Sequence, residues 1–415
     1  MPAPLRERAS VDEVENIYLF VADSVREQTT SDAVTSLGVS GRAIAASTYT
    51  ASSFSSILSG QYPSTHCVWS FNDRLSKRPP LLDGPETFGM TADTIWTDLP
   101  PAEKPPFQMV NATADDATSI TELDPPFIAI EHHKGGHMPY GFTFEKYPSI
   151  ERFFLAERPT LEELPVLYAE SVRTAEECFL AAVDRLAERD LLEKTLVIYT
   201  SDHGEALGEA ANAAVVGHGD PITPDLVEVS VVFAGVGLPN TDLDALLSGV
   251  DVAPTALAAL GRSGQRENGG TVDWRVDGQN CWTGTPGDRL LRSERWVTYE
   301  AVGLGELDRY RATSVWDADG GIVFQRGSRL ARLGLAVGNE FGKAPWAYLT
   351  RDPRRPDRWL TLLRRYAASR LWYGNPGFTA DEARAATEPF RESTVTDTDE
   401  TGVDREQLRK LGYLE

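Results

Sequence analysis

Short apolar runs recur along the first 240 residues: NIYLFVA (16–22), FIAI (127–130), TLVIYT (195–200) and VSVVFAG (229–235). Each is too short for a typical helix and almost continuously apolar, which predicts strands buried on both faces. Between the second and third runs, Tyr168, Val172, Ala175, Phe179, Val183 and Leu186 recur at three- and four-residue steps and predict an amphipathic helix. Buried strands alternating with such helices predict an α/β fold with a mostly parallel sheet. Ligands of such sheets bind beyond the carboxyl ends of the strands. Asp23 and Asp202, just past the first and third runs, are therefore expected to share one site despite their distance in sequence.

After Gly261 the texture becomes rich in Gly, Asn, Arg and Ser to about residue 295, followed by WVTYE, ATSVW and GIVFQ, with Asp319-Gly320 between the last two. That pattern predicts an antiparallel hairpin and a small second sheet packed on the first unit. The expected domains are a catalytic unit over 14–262, a smaller α+β unit over 263–390, and an acidic linker with a terminal segment over 391–415. Segment 343–373 interleaves Arg351, Arg354, Arg355, Arg358, Arg364, Arg365 and Arg370 with Trp346, Trp359 and Trp372. An amphipathic helix whose arginines pair with acidic neighbours accounts for it more simply than a cationic lid.

The chain has 415 residues, more than one core usually serves, and carries 62 acidic against 40 basic residues, a formal net charge of −22. That balance argues against nucleic acid, whose phosphates demand excess positive charge. An acidic surface poor in lysine suits concentrated salt, so a halophilic source is expected. The cysteines, Cys67, Cys178 and Cys281, are odd in number and scattered, suggesting small buried apolar residues rather than disulfides or a CxxC metal site. The polar start and the lack of any apolar stretch near 18 residues predict a cytoplasmic protein without membrane insertion.

Chemistry concentrates in NIYLFVADSVR, TYTASSFSSILSGQYPSTHCV, EHHKGGHMPYG and VIYTSDHGEALGE followed by VGHGD. In order and spacing these blocks resemble the sulfatases and their phosphoryl-transferring relatives in the alkaline phosphatase superfamily. VSVVFAGVG, DVAPTALAALG, VDGQN and the closing LGYLE agree, and together with a halophilic composition they suggest an archaeal member. The resemblance implies an α/β/α sandwich with a large mostly parallel sheet, and a smaller C-terminal subdomain with an antiparallel sheet. Independently of it, Asp202 and His203 directly after a buried strand offer adjacent oxygen and imidazole ligands suited to a divalent cation, with Asp23 completing the carboxylates. The bland alternatives are a helix N-cap for Asp23 and an ordinary satisfied histidine for His203.

Counted back from Gly60-Gln61-Tyr62-Pro63, the family's nucleophile position, usually the Cys or Ser of a C-x-P-x-R motif, holds Thr50. The Pro and Arg are absent, so no formylglycine is expected. A plain threonine ester must be cleaved by water or another acceptor, which tilts the expectation toward phosphate esters. Thr50 needs activation, and the helix expected to start there would add partial positive charge and free N–H donors. The alternative is a Ser/Thr-rich turn that merely caps the helix. By resemblance, His137 and His218 contact the anion or protonate the leaving group, and Ser24 replaces a second metal carboxylate. One divalent ion (Mn, Mg or Ca) held by Asp23, Thr50, Asp202 and His203 is implied, whereas His132, His133 and Lys134 are left outside the site. The expected activity is hydrolysis of a small-molecule or glycan-linked phosphate or sulfate ester through Thr50. Rival readings are an arylsulfatase without formylglycine, a phosphoryl transferase acting on a glycan or lipid head group, and a non-catalytic anion-binding homologue. The sequence leaves the oligomeric state open.

Overall fold

A computed structural model describes residues 3–392, apart from residues 12 and 148 and the stretches 94–98, 142–145, 210–214, 263–273, 302–304 and 343–355. Its centre is an eight-stranded sheet. β1 (Asn16–Ala22), β2 (Gly38–Ile44), β3 (Thr87–Asp93), β4 (Phe127–His133) and β5 (Thr195–Ser201) come first. A two-stranded ribbon of β6 (Ala206–Leu207) and β7 (Val216–Gly217) follows. β8 (Glu228–Ala234), β9 (Thr241–Asp242) and β10 (Leu247–Ser248) complete the sheet. The order is β10-β2-β8-β5-β1-β4-β3, with β9 also paired to β2.

Strand parity explains why the runs are apolar throughout. Ile17, Leu19, Val21, Ile128, Ile130 and Ile198 face one core, where they meet Phe54, Ile57 and Leu58 of the helix Thr50–Ser59. Tyr18, Phe20, Phe127, Ala129, Val197 and Tyr199 face the other, against Val172, Phe179 and Val183 of the helix Leu164–Glu188. Helices cover both faces, as the α/β/α expectation requires. The run at β8 departs from its neighbours, pairing antiparallel to both β2 and β5. The chain reaches it from the carboxyl end of β5 through the ribbon and a helical turn, Pro224–Val227, and an antiparallel neighbour needs no crossover helix.

The second sheet is antiparallel, β11 (Leu291–Ala301), β12 (Gly305–Asp317), β13 (Gly320–Gln325) and β14 (Arg370–Gly374). Ala318 and Asp319 form the tight turn between β12 and β13, where the Asp317 carboxylate accepts from the amides of Asp319 (2.9 Å) and Gly320 (3.0 Å). Of the Arg- and Trp-rich segment, Pro356–Ala367 is a helix and Arg370 and Trp372 lie on β14. Arg365 donates to the Tyr373 hydroxyl at 3.2 Å. Trp346, Arg351, Arg354 and Arg355, like the terminal LGYLE, lie outside the described residues.

A shared core that includes Ile44, Ile222, Leu226, Leu291, Tyr310 and Trp316 joins the second sheet to the first unit, and hydrogen bonds reinforce it. The Glu294 amide donates to the Ala46 carbonyl (2.8 Å), and its carboxylate accepts from the Ser64 amide (2.7 Å) and hydroxyl (3.0 Å). Leu5 and Arg6 donate their amides to the carbonyls of Cys281 and Trp282, each at 3.0 Å. Only Cys281 of the three cysteines is buried; Cys67 is half-buried and Cys178 exposed, correcting the expectation for those two.

Candidate active site

β1 is flanked by β4 and β5 in registers that pair Ala22 with both His133 and Ser201, so Asp23 and Asp202 leave the sheet side by side. Asp202 Oδ1 accepts from the amides of Ser24 (3.1 Å) and His203 (2.9 Å). Ser24 also donates its hydroxyl to Asp23 Oδ1 at 2.7 Å. Its φ of 62° lies in the left-handed region, uncommon for serine, and this turn lets one residue fasten both carboxylates. The Asp23 amide donates to the His133 carbonyl at 2.8 Å.

His203 Nδ1 lies 2.9 Å from the Gly204 carbonyl, an acceptor, so that nitrogen carries the proton and Nε2 presents its lone pair. Nε2 sits 3.2 Å from Thr50 Oγ1, 3.7 Å from Asp202 Oδ2 and 3.9 Å from Asp23 Oδ1. Thr50 opens its helix and is fully buried, with the N–H groups of the first turn at the same end.

Asp202 Oδ2 and both ring nitrogens of His132 are buried without a hydrogen bond, although such groups are rarely left so. His132 Nε2 is 3.8 Å from Asp202 Oδ2, and one ligand atom each from Asp23, His132 and Asp202 lies within 4.8 Å of the others. Burial and the Asp202 charge push the Asp23 carboxyl well above the ordinary range; against burial, His203 and His132 hold Asp202 below it. Two crowded buried carboxylates, an unsatisfied imidazole and an unsatisfied carboxylate oxygen fit a divalent cation.

A second layer flanks the Thr50 end. His218 Nδ1 lies 2.8 Å from the Glu205 carboxylate, which also accepts from the Tyr140 hydroxyl at 2.7 Å. Burial pushes Glu205 up to about 7. The His218 ring stands 4.5 Å from that of His203 and 5.1 Å from that of His137. His137 hydrogen-bonds the Met138 carbonyl through Nδ1, and burial, with His218 beside it, pushes its imidazole down to about 3. Lys134, pushed down to about 8 by burial while Asp23 opposes the shift, donates to the Pro139 carbonyl.

The structure thus gathers Asp23, Thr50, Asp202 and His203 at one point, with His218 and His137 in ring contact beyond. Two residues go beyond the sequence reading. His132 lies outside the site expected from the sequence, yet strand parity points to it. Residues 128, 130 and 132 of β4 share the core face covered by the Thr50 helix, and Phe54 of that helix lies 4.6 Å from the His132 ring. Glu205 stood inside a recognised motif without a role, because only the fold brings His218 and Tyr140 to it.

The sulfatase family model matches residues 83–262. A relative from Haloferax volcanii, the low-salt glycan biosynthesis sulfotransferase Agl7, is 34% identical over 419 residues, 99% of each chain. Among solved structures, the phosphonate monoester hydrolase of Agrobacterium radiobacter superposes with a TM-score of 0.54 at 13% identity, covering 85% of this chain and 96% of that one. The corresponding enzyme of Silicibacter pomeroyi gives 0.52 at 15%, covering 84% and 94%. At such identities these two likenesses concern the fold alone.

Proposed function

This chain belongs to the sulfatase family, and we propose that it moves a sulfuryl group from an anionic ester to a hydroxyl of a glycan through a covalent ester on Thr50. The observation that carries the reading is Thr50 Oγ1 facing the bare Nε2 of His203 at the start of a buried helix. Asp23, His132 and Asp202, whose ligand atoms lie within 4.8 Å of one another, would hold a divalent cation. When bound, such a cation lowers the pKa of an alcohol near it and offsets charge on the transferred group.

With the cation on Asp23, His132 and Asp202, His203 Nε2, 3.2 Å from Thr50 Oγ1, would keep its lone pair to accept the hydroxyl proton as Oγ1 bonds to sulfur. The bond from sulfur to the leaving oxygen breaks with its electron pair on that oxygen. His218, its Nδ1 held 2.8 Å from the Glu205 carboxylate, would deliver the proton that oxygen needs. His137 contributes a neutral hydrogen-bonding ring to the same anion. The acceptor hydroxyl then attacks sulfur and gives its proton to the His218 ring that lost one, while the Thr50–sulfur bond breaks with its pair on Oγ1, which takes back the proton held by His203.

The lack of a formylglycine motif supports transfer. An aldehyde hydrate expels sulfate by itself, whereas a threonine ester waits for an incoming nucleophile. The same ester chemistry serves phosphate, which the sequence alone favoured; the relative's printed role moves the reading to sulfate and a glycan.

The test incubates wild type, Thr50→Ser and Thr50→Ala in concentrated KCl with an aryl sulfate or an aryl phosphodiester, with and without saccharide acceptor. Mn²⁺, Mg²⁺, Ca²⁺ or chelator is supplied. We expect metal-dependent sulfation of the saccharide, a sulfated Thr50 peptide in mass spectra, partial activity in Thr50→Ser and a loss of about a thousandfold or more in Thr50→Ala. Sulfate released to water whatever the acceptor would make it a hydrolase, phosphodiester turnover alone would restore the phosphoryl reading, and turnover indifferent to Thr50 overturns the mechanism.

A further inference from the structure

Beside the Thr50 helix lies a cluster of aromatic rings and guanidinium groups that the proposed chemistry does not use. Tyr49, the residue before Thr50, carries Arg295 over its ring with Cζ at 4.0 Å, and packs 5.2 Å from Phe71. The next residue of β11, Trp296, meets Trp69 edge-on at 5.5 Å and carries Arg311 at 4.6 Å. The platform therefore begins one residue from the nucleophile's helix and extends onto the second sheet.

Residues 386–391 lie across it. Glu388 accepts from Arg275 at 2.7 Å and stands 3.9 Å from Arg292. Phe390 stacks on Trp296 at 6.0 Å and meets Trp69 at 4.9 Å, with Arg311 5.0 Å from its ring. Trp69 Nε1 donates to the Arg391 carbonyl at 2.8 Å. The two indoles are only 8% and 9% exposed beneath Phe390, which is itself half-buried.

We propose that this platform is a subsite for an acidic saccharide and that residues 386–391 are a strap occupying it until the saccharide displaces them. The assignment rests on the glycan reading above. The strap presents a carboxylate to arginines, a flat apolar face to indoles and an oxygen acceptor to an indole N–H. An acidic sugar presents the same groups: its carboxylate to guanidinium, its C–H face to aromatic rings, its oxygens to N–H donors. Arginines alternating with aromatics select an acidic sugar over a neutral one, and the position beside Tyr49 brings its hydroxyls toward the Thr50 end. The strap's ion pair is weakly held, since the side chains of Arg275 and Glu388 are 52% and 32% exposed, so salt screens it. Displacement then exchanges like contacts for like.

Binding of cellobiouronic acid to the full-length protein in concentrated KCl, followed by calorimetry and indole fluorescence, tests the proposal, with cellobiose as the neutral control. Phe390→Ala is expected to bind the acid about fivefold tighter than wild type, because the competing ring is gone. Arg311→Gln and Trp296→Ala are expected to bind it about tenfold more weakly, and cellobiose to bind more weakly than the acid throughout. A gain of affinity cannot come from misfolding, so Phe390→Ala keeps the test decisive even if Trp296→Ala is unstable. Unchanged or weaker binding in Phe390→Ala overturns the strap, and equal affinity for the two sugars overturns the acidic subsite. Labelling of Thr50 by an aryl sulfate without saccharide reports on the transfer chemistry alone, so the two readings fail separately.

Discussion

Ser24 is small, yet its amide and hydroxyl fasten Asp202 and Asp23 together, leaving Asp202 Oδ2 and His132 turned toward each other without hydrogen bonds. If these groups share a cation, Mn²⁺ or Ca²⁺ should raise the thermal midpoint of wild type and chelator should lower it. In His132→Ala that metal-dependent shift is expected to shrink to a small fraction, measured by differential scanning fluorimetry with no substrate present. Glu294 supplies a pH test away from the site. Burial holds its carboxyl at about 7 in the fold against an ordinary 4.5, so between those values the folded chain carries the extra proton. Stability should therefore fall as pH rises through that window and level off above it, by on the order of 1–3 kcal/mol. Glu294→Gln, which keeps a polar group against Ser64, should flatten the slope in urea titrations at pH 5 and pH 8.

The elements deliver these residues by register and parity. Asp23, His132 and Asp202 follow the alternation of Ile17, Ile130 and Ile198, so all emerge on the face that the Thr50 helix covers. For Asp23 and Asp202 that much was legible, because buried strands leave apolar runs and polar residues follow directly where those two runs end; His132, two places beyond its run, needs the strand's parity as well. The direction of β8 was not, since it depends on the connection rather than on the strand's composition. Nor was the pairing of Glu205 with His218, which depends on how the ribbon folds back. The loop after β4 offers a sharper test. Gly135 has φ +55°, and a Cβ there would lie 2.3 Å from the Asp23 carbonyl. Gly135→Ala should cost about 1–3 kcal/mol in chemical denaturation and displace Asp23, so activity should fall further than stability alone explains.

At the scale of the whole molecule, a net charge of −22 is spread over the chain. Lowering KCl from about 2 M to about 0.1 M lengthens the screening distance from a few ångströms to about 10 Å and restores self-repulsion. The thermal midpoint should fall steeply over that range, and circular dichroism melts at several salt concentrations would record it. No described helix is long and apolar enough to cross a membrane. The seams also bear on how the protein is made. β1 is born early yet sits between β4 and β5, and Leu5 and Arg6 pair with Cys281 and Trp282. The strand that carries Asp23 must therefore wait on the ribosome for partners synthesised much later, its apolar side chains uncovered in the meantime. Assembly in the cell is thus set by the pace of translation and by whatever shields that waiting strand from its neighbours on the polysome.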